Sequence, residues 1–213
     1  MELYALRGSN NVRKVAAVIG HLGLDVAFRW LDFGRAEHRQ PDYLALNPNG
    51  KVPTLVDGDF VLWESNAIAR YLCRKAPGNA LYPDDPRLQA DIDRWLSWEL
   101  AHYNQQLGVL AWETVAKPVF LKQEPDPVLV AWSSRALAGH AAVLDRHLEG
   151  RSHAVGEGVT LADYALVHID QFKDKVPFDW SPFPNLNAYY ARMAADPHWA
   201  ATAVAPDRLG RGA

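Results

Sequence analysis

Asn47-Pro48-Asn49-Gly50-Lys51-Val52-Pro53-Thr54-Leu55-Val56-Asp57-Gly58-Asp59-Phe60-Val61-Leu62-Trp63-Glu64-Ser65-Asn66-Ala67-Ile68-Ala69-Arg70-Tyr71 is the stretch whose reading decides the fold. Asn47-Pro48-Asn49-Gly50 is a turn cluster, because proline fixes φ while asparagine and glycine tolerate positive φ. Thr54-Leu55-Val56 and Phe60-Val61-Leu62-Trp63 are strand-forming runs on either side of Asp57-Gly58, a dipeptide suited to a tight hairpin turn. Ala67, Ile68, Leu72 and Ala76 then recur at helical spacing, which predicts a helix capped by Ser65 or Asn66. Two polar residues, Glu64 and Ser65, therefore sit where strand gives way to helix.

The first N–H groups of a helix lack intrahelical partners and carry partial positive charge, so an anion is favoured beside them. A carboxylate at this junction can take the Ser65 hydroxyl and the helix N–H groups while Glu64 holds an ammonium, a pairing that suits an α-amino acid head. The plainer alternative is that Ser65 only caps the helix and Glu64 only complements its dipole.

Working back towards the N-terminus, Leu3 to Leu6 reads as a short strand, and Val12, Val15, Ile19 and Leu22 follow at the spacing of an amphipathic helix. Gly23 suits the C-terminal cap of that helix, and Val26, Phe28 and Trp30 alternate with Ala27 and Arg29 as a second strand. The element order is β-α-β, a connection, then β-β-α. Between the first strand and the first helix, Ser9, Asn10 and Asn11 all favour helix starts, and capping by itself accounts for them.

This order, with Lys51-Val52-Pro53 before the hairpin and Glu64-Ser65 after it, resembles the thioredoxin-like domain of cytosolic glutathione transferases of the serine type, as in phi-, theta- and delta-like and bacterial forms. The resemblance implies a cis Val52-Pro53 bond, with the Val52 backbone meeting the cysteinyl part of glutathione as an added strand. It implies that Glu64 and Ser65 hold the γ-glutamyl end and that the Ser9 hydroxyl points at the glutathione sulfur, with Asn11 sharing or taking over that task. His38, ahead of Arg39, is matched to the loop that meets the glycine carboxylate, an end Lys51 can also reach. The resemblance covers nearly the whole chain and is most specific over Ser9 to Val15 and Asn47 to Tyr71.

The chemistry makes a simple demand on such a site. A free thiol has a pKa near 8.5, and only the thiolate is nucleophilic. Lowering that pKa by about two units takes about 2.7 kcal/mol of preferential stabilisation of the anion. One charge-assisted hydrogen bond contributes about 1.5–3 kcal/mol and a helix N-terminus somewhat less. A Ser9 hydroxyl at a helix start can meet that demand as a donor to sulfur, without a covalent intermediate.

The 213 residues are 49% hydrophobic and 22% charged, ordinary for a globular protein, and a formal charge of −3 gives no electrostatic case for nucleic acid or an anionic membrane surface. The start, Met1 to Gly8, is too short and polar for a signal peptide, and no apolar run approaches a membrane span, so a cytoplasmic protein is expected. The single cysteine, Cys73, excludes an intrachain disulfide and a dithiol redox pair, and it lies in an apolar stripe that reads as core. The eight histidines show no metal-ligand spacing, so no metal is expected.

Residues 77–87 are rich in turn formers and read as a linker. Beyond it, Leu88, Ile92, Trp95, Leu96, Tyr103, Leu107 and Leu110 fit one long amphipathic helix, and Leu137, Ala141, Leu144 and Leu148 fit another. Thr160-Leu161-Ala162-Asp163 is a capping-box start that serves folding. Pro184 to Met193 reads as a last helix and Arg208 to Ala213 as a frayed tail.

The expected architecture is an α/β thioredoxin-like N-terminal domain, residues 1–78, that binds glutathione, followed by an all-α helical C-terminal domain, residues 86–207, that contributes the electrophile site. Trp98, Tyr103 and Trp112 lie on the helix that faces the cleft in this family. The expected reaction is attack of the thiolate of glutathione, a co-substrate, on a small apolar electrophile, in a protein the resemblance implies is a homodimer. Alternatives are a glutathione-dependent peroxidase or disulfide reductase and a non-catalytic interaction module of the same fold. A maleylacetoacetate isomerase is disfavoured because the Ser-Ser-Cys start associated with it is missing.

Overall fold

A computed structural model describes residues 1–203. The described residues form two compact units, one made of residues 1–83 with residues 196–203, the other of residues 84–195.

In the first unit, β1 (Glu2–Ala5) leads into α1 (Asn10–Leu22) and β2 (Ala27–Trp30). A short 3-10 turn over Glu37–Arg39 and α2 (Pro41–Leu46) precede β3 (Thr54–Asp57), β4 (Phe60–Trp63) and α3 (Ser65–Lys75). The four-stranded sheet has the order β2-β1-β3-β4. β1 runs parallel to β2, with Leu3 opposite Phe28, and antiparallel to β3, with Leu3 opposite Leu55. The Asp57-Gly58 hairpin pairs Leu55 with Leu62, and Gly58 takes the positive φ of 63° that its turn requires.

Alternation on the strands and helical spacing on α1 and α3 point at one core. Leu3, Ala5 and Leu55 are fully buried, as are Val15 and Val18 of α1 and Ile68 and Leu72 of α3, and these two helices pack on each other. Gly23 ends α1 in the left-handed conformation, the expected cap. A further short helix, α11 (Pro197–Ala200), also packs against α1, so the helix that starts at Pro184 is not the last one, contrary to the reading of the sequence pattern. Its Trp199 is fully buried under the Arg13 guanidinium, 4.0 Å from the ring centroid, and Arg13 Nε donates to Thr202 Oγ1 at 3.0 Å.

The second unit is helical throughout its described residues. α4 (Pro86–Trp98) is capped by Asp85, whose Oδ1 accepts from the N–H groups of Arg87 and Leu88. The single helix expected beyond residue 98 is interrupted by two π-helical turns, Glu99–Tyr103 and Trp112–Ala116, which flank α5 (Asn104–Ala111) and lead into α6 (Lys117–Phe120). Each π turn carries one residue more than an α turn, and each holds a buried carboxylate. Glu99 accepts from the Asn104 side chain, and Glu113 from Lys117 Nζ at 2.8 Å and from the Asp126 N–H at 2.7 Å.

α7 (Pro127–His147), α8 (Leu161–Val167), α9 (Asp170–Lys173) and α10 (Pro184–Ala194) complete this unit. The capping box is present: Asp163 Oδ2 accepts from Thr160 N and Thr160 Oγ1, while Oδ1 accepts from Ala154 N and Tyr189 Oη, all within 3.0 Å. Burial raises the Asp163 carboxyl above its ordinary value, and these donors act in the opposite sense.

Asp163→Ala strands several buried donors at once. Urea unfolding of that variant is expected to show a loss of about 3–5 kcal/mol, and a loss below about 1 kcal/mol would deny the box its folding role.

Candidate functional site

The N-termini of α1 and α3 start side by side. Ser9 caps α1 from an extended backbone, φ −73° and ψ 121°, and its Oγ accepts from the Val12 N–H at 3.4 Å. An accepting hydroxyl keeps its own proton to give away, so capping and donation to a second group are compatible.

α3 starts differently from the sequence expectation. Glu64 occupies its cap position at φ 74° and ψ 111°, and no side chain caps the helix. The expected cap from Ser65 or Asn66 is replaced by cross-links to α1. Ser65 Oγ donates to Asn11 Oδ1 at 3.0 Å, and Lys14 Nζ donates to Asn66 Oδ1 at 2.5 Å. Ser65, Asn66 and Lys14 are all buried, and neither helix has an acid in its first turn. With Oδ1 engaged by Ser65, the donor that Asn11 can offer elsewhere is its Nδ2.

The loop before β3 is built around backbone acceptors. Val52-Pro53 is cis. Tyr43 Oη and Asn47 Nδ2 both donate to the Lys51 carbonyl, at 2.5 and 2.8 Å, and both also bond Thr54 Oγ1, at 2.9 and 3.1 Å. Tyr43, Asn47 and Thr54 are buried, so this network closes over the segment from Lys51 to Thr54, and burial raises the Tyr43 hydroxyl pKa.

Gly50, at φ 58°, brings that loop against the one holding His38. A Cβ there would lie 2.9 Å from Arg39 Nη1 and 3.0 Å from the His38 carbonyl. The His38 ring stacks on Phe33 with centroids 5.0 Å apart, and its Nδ1 is buried without a hydrogen-bond partner among the described residues. Burial, and next the Arg39 charge, lower the His38 pKa, so the ring is neutral at pH 7. The side chains of Arg39 and Lys51 are exposed.

Ser9, Asn11 and Ser65 thus gather at two adjoining helix starts, with Glu64 at the α3 cap, and His38 lies beside the loop that carries Lys51, Val52 and Pro53. Sequence reasoning missed Lys14, Tyr43 and Thr54, and took Asn66 only as a candidate cap. Lys14 left a trace: it stands three residues after Asn11 and four before Val18, a lysine on the flank of an apolar stripe. The single cysteine is core, as expected: burial pushes the Cys73 thiol up to about 12. On the helical unit Tyr103 is fully buried, its hydroxyl 3.1 Å from that of Tyr190, so it is core and not cleft lining, whereas Trp112 is exposed. Among the described residues no group of three or more histidine, cysteine, aspartate or glutamate side chains is placed to hold a metal ion, and no helix is long and apolar enough to cross a membrane.

Comparison with known families matches residues 1–74 to the glutathione S-transferase N-terminal domain and residues 111–197 to the glutathione S-transferase C-terminal domain. The chain is 34% identical over 210 residues to glutathione S-transferase 3 of Zea mays, covering 96% of this chain and 94% of that protein. It is 31% identical over 199 residues to the probable glutathione S-transferase GSTF2 of Oryza sativa subsp. japonica, covering 92% and 93%. Among solved structures, the theta class glutathione S-transferase from Xanthomonas axonopodis pv. citri, with glutathione bound, superposes with a TM-score of 0.85 at 31% identity, covering 96% of this chain and 97% of that one.

Glu64 holds a backbone conformation that favours glycine, at a cost of about 1–3 kcal/mol, partly offset in a glycine variant by about 0.5–1 kcal/mol of added chain entropy. Glu64→Gly is therefore expected to stabilise the protein by about 1 kcal/mol in urea unfolding, whereas Glu64→Ala, which keeps a Cβ, gives no such gain. A destabilised glycine variant would show that the Glu64 side chain contributes more to folding than its backbone costs.

Proposed function

The chain belongs to the glutathione S-transferase family and acts as a glutathione transferase, and from that premise we propose how its own residues carry the activity. Ser9 and Asn11 are the thiol donors, Glu64 and Ser65 hold the γ-glutamyl end, the Val52-Pro53 backbone takes the cysteinyl part, and His38 with Lys51 takes the glycine carboxylate. The observation that carries this reading is the Ser65–Asn11 hydrogen bond, because it couples a residue assigned to the γ-glutamyl end with a residue assigned to sulfur, across two helix starts.

The residues suit these tasks. The γ-glutamyl carboxylate would meet the α3 N–H groups, which no side chain caps, and the Ser65 hydroxyl would turn its single proton from Asn11 Oδ1 to that carboxylate, while the Glu64 carboxylate faces the ammonium. A neutral His38 still donates one N–H, and Lys51 adds a charge from an exposed stem. The thiol gives its proton to solvent, and the Ser9 O–H and Asn11 Nδ2–H favour the resulting anion. The sulfur lone pair then forms the new bond to carbon, and the leaving group departs with its bonding electrons.

The electrophile is proposed to be small and apolar and to be received by the helical unit, where Trp112 offers an exposed ring. A cytoplasmic homodimer is proposed as the working form. Phe60 and Trp63 on β4 are exposed apolar side chains of the kind a second copy would cover, and light scattering during gel filtration reads the mass directly.

The thiolate absorbance of bound glutathione, titrated in the wild type, is expected to show a pKa well below about 8.5. Ser9→Ala or Asn11→Ala, whichever removes the main donor, raises that pKa by about one to two units while leaving binding within about threefold. Binding with an unshifted thiol in the wild type would make the protein a carrier. Separately, Ser65→Ala is expected to weaken glutathione binding about 10-fold or more, and calorimetry showing unchanged affinity would remove Ser65 from the γ-glutamyl site.

A further inference from the structure

We propose that Arg13 is a positioning residue of the thiol site: clamped to the C-terminal helix α11, it holds the first turn of α1, and with it Ser9 and Asn11, where they reach the sulfur of bound glutathione. Three contacts make the clamp. The Arg13 guanidinium lies 4.0 Å from the centroid of the Trp199 ring, Arg13 Nε donates to Thr202 Oγ1 at 3.0 Å, and the Arg13 backbone N–H donates to the Ser9 carbonyl at 2.9 Å. One residue therefore grips the C-terminal segment with its side chain and the helix cap with its backbone. All of these residues belong to the first unit.

The far side of the clamp is itself fixed. Trp199 is fully buried, and its N–H donates to Asp196 Oδ1 at 2.8 Å. Thr202 Oγ1 donates its proton to the Trp199 carbonyl at 2.6 Å and accepts from Arg13 Nε. A flat guanidinium on an indole face adds a cation–π attraction of about 0.5–2 kcal/mol. At its other end α11 reaches the last turn of α1. The His198 and His21 ring centroids are 4.5 Å apart, and His198 Nδ1 passes 3.9 Å from where a Cβ on Gly20 would stand. Arg13, Ala16, Ala17 and Gly20 follow the i, i+3, i+4, i+7 spacing of one helix side, so α11 lies along α1 from its last turn to its first.

Helix geometry gives this second grip its purpose. At about 100° per residue, Arg13 stands about 200° around α1 from Asn11. The bond between Ser65 and Asn11 and the bond from Arg13 to Thr202 therefore hold opposite sides of one turn. A turn tied on one side can pivot; tied on both, it is fixed. Misplacing a reacting group by about 1 Å can cost on the order of 100-fold in rate, so a donor to sulfur gains from being held this way. A contact whose only task was to fasten α11 would, when weakened, lower stability and leave the bound thiol as it was.

That difference sets the experiment. Thr202 is only partly buried, so Thr202→Val removes the acceptor without touching a charge or the core, Thr202→Ser restores it, and Arg13→Met removes the grip altogether. For each, the thiolate absorbance of bound glutathione is titrated, and affinity is measured by calorimetry below the thiol titration. Thr202→Val is expected to raise the bound thiol pKa by about 0.5 unit and Arg13→Met by about one unit, with affinity within about twofold, while Thr202→Ser stays at the wild-type value. A folded Thr202→Val protein with the wild-type thiol pKa overturns the proposal, even where Arg13→Met shifts it, because the charge of Arg13 and not its grip would then be acting. A lowered melting temperature with an unmoved thiol overturns it too, leaving the clamp a fastening for α11. Should Arg13→Met fail to fold, the two Thr202 variants decide alone. The inference rests on the functional reading above, and the two fail differently. A wild type that binds glutathione without acidifying its thiol removes both, whereas an acidified wild-type thiol that Thr202→Val leaves unmoved removes this one alone.

Discussion

Two helix starts held against each other are the constraint on which the candidate site depends. Each start exposes N–H groups that no turn of helix can satisfy, and their partial charges repel. What holds them together is apolar burial, with Val15 and Val18 of α1 and Ile68 and Leu72 of α3 all buried as the two helices pack on each other. The bonds from Ser65 to Asn11 and from Lys14 to Asn66 then set the spacing at the rim of that core.

The second element of the site is handled by a different device. A backbone proposed to offer its own N–H and C=O groups to a ligand cannot spend them on regular structure, so side chains have to fix it. Tyr43 and Asn47, both buried, bond the Lys51 carbonyl and the Thr54 hydroxyl, closing a small polar network over the cis Val52-Pro53 segment. Gly50 allows the His38 loop to approach because it has no Cβ to meet Arg39. Position, rather than reactivity, is what these residues contribute.

Much of this was legible in residue order. The hairpin, the strand-helix-strand that precedes it, the Gly23 cap and the Thr160–Asp163 box all follow from local rules, because period, turn chemistry and capping act over a few neighbouring residues. The α3 start was not legible in the same way. Ser65 has the chemistry of a cap, but a partner distant in sequence, Asn11, competes for its hydroxyl, and Glu64 takes the cap position in a conformation its type does not favour. The two π turns were hidden as well. One inserted residue shifts the buried face by less than the spread of an apolar stripe, so the spacing from Leu88 to Leu110 looked continuous.

The sequence by itself determined the α/β and helical halves and the family, because each of these is written in local patterns and short motifs. Tertiary structure alone decided that Ser65 serves Asn11 rather than its own helix, that Lys14 is buried beside the α3 start, and that Tyr43 and Asn47 brace the backbone at Lys51. It also decided that α11, far along the chain, packs on α1. The physical reason is common to all of them. Each depends on which of several satisfiable partners a polar or aromatic side chain meets once the apolar core has closed, and that choice is made between residues that sequence distance does not relate.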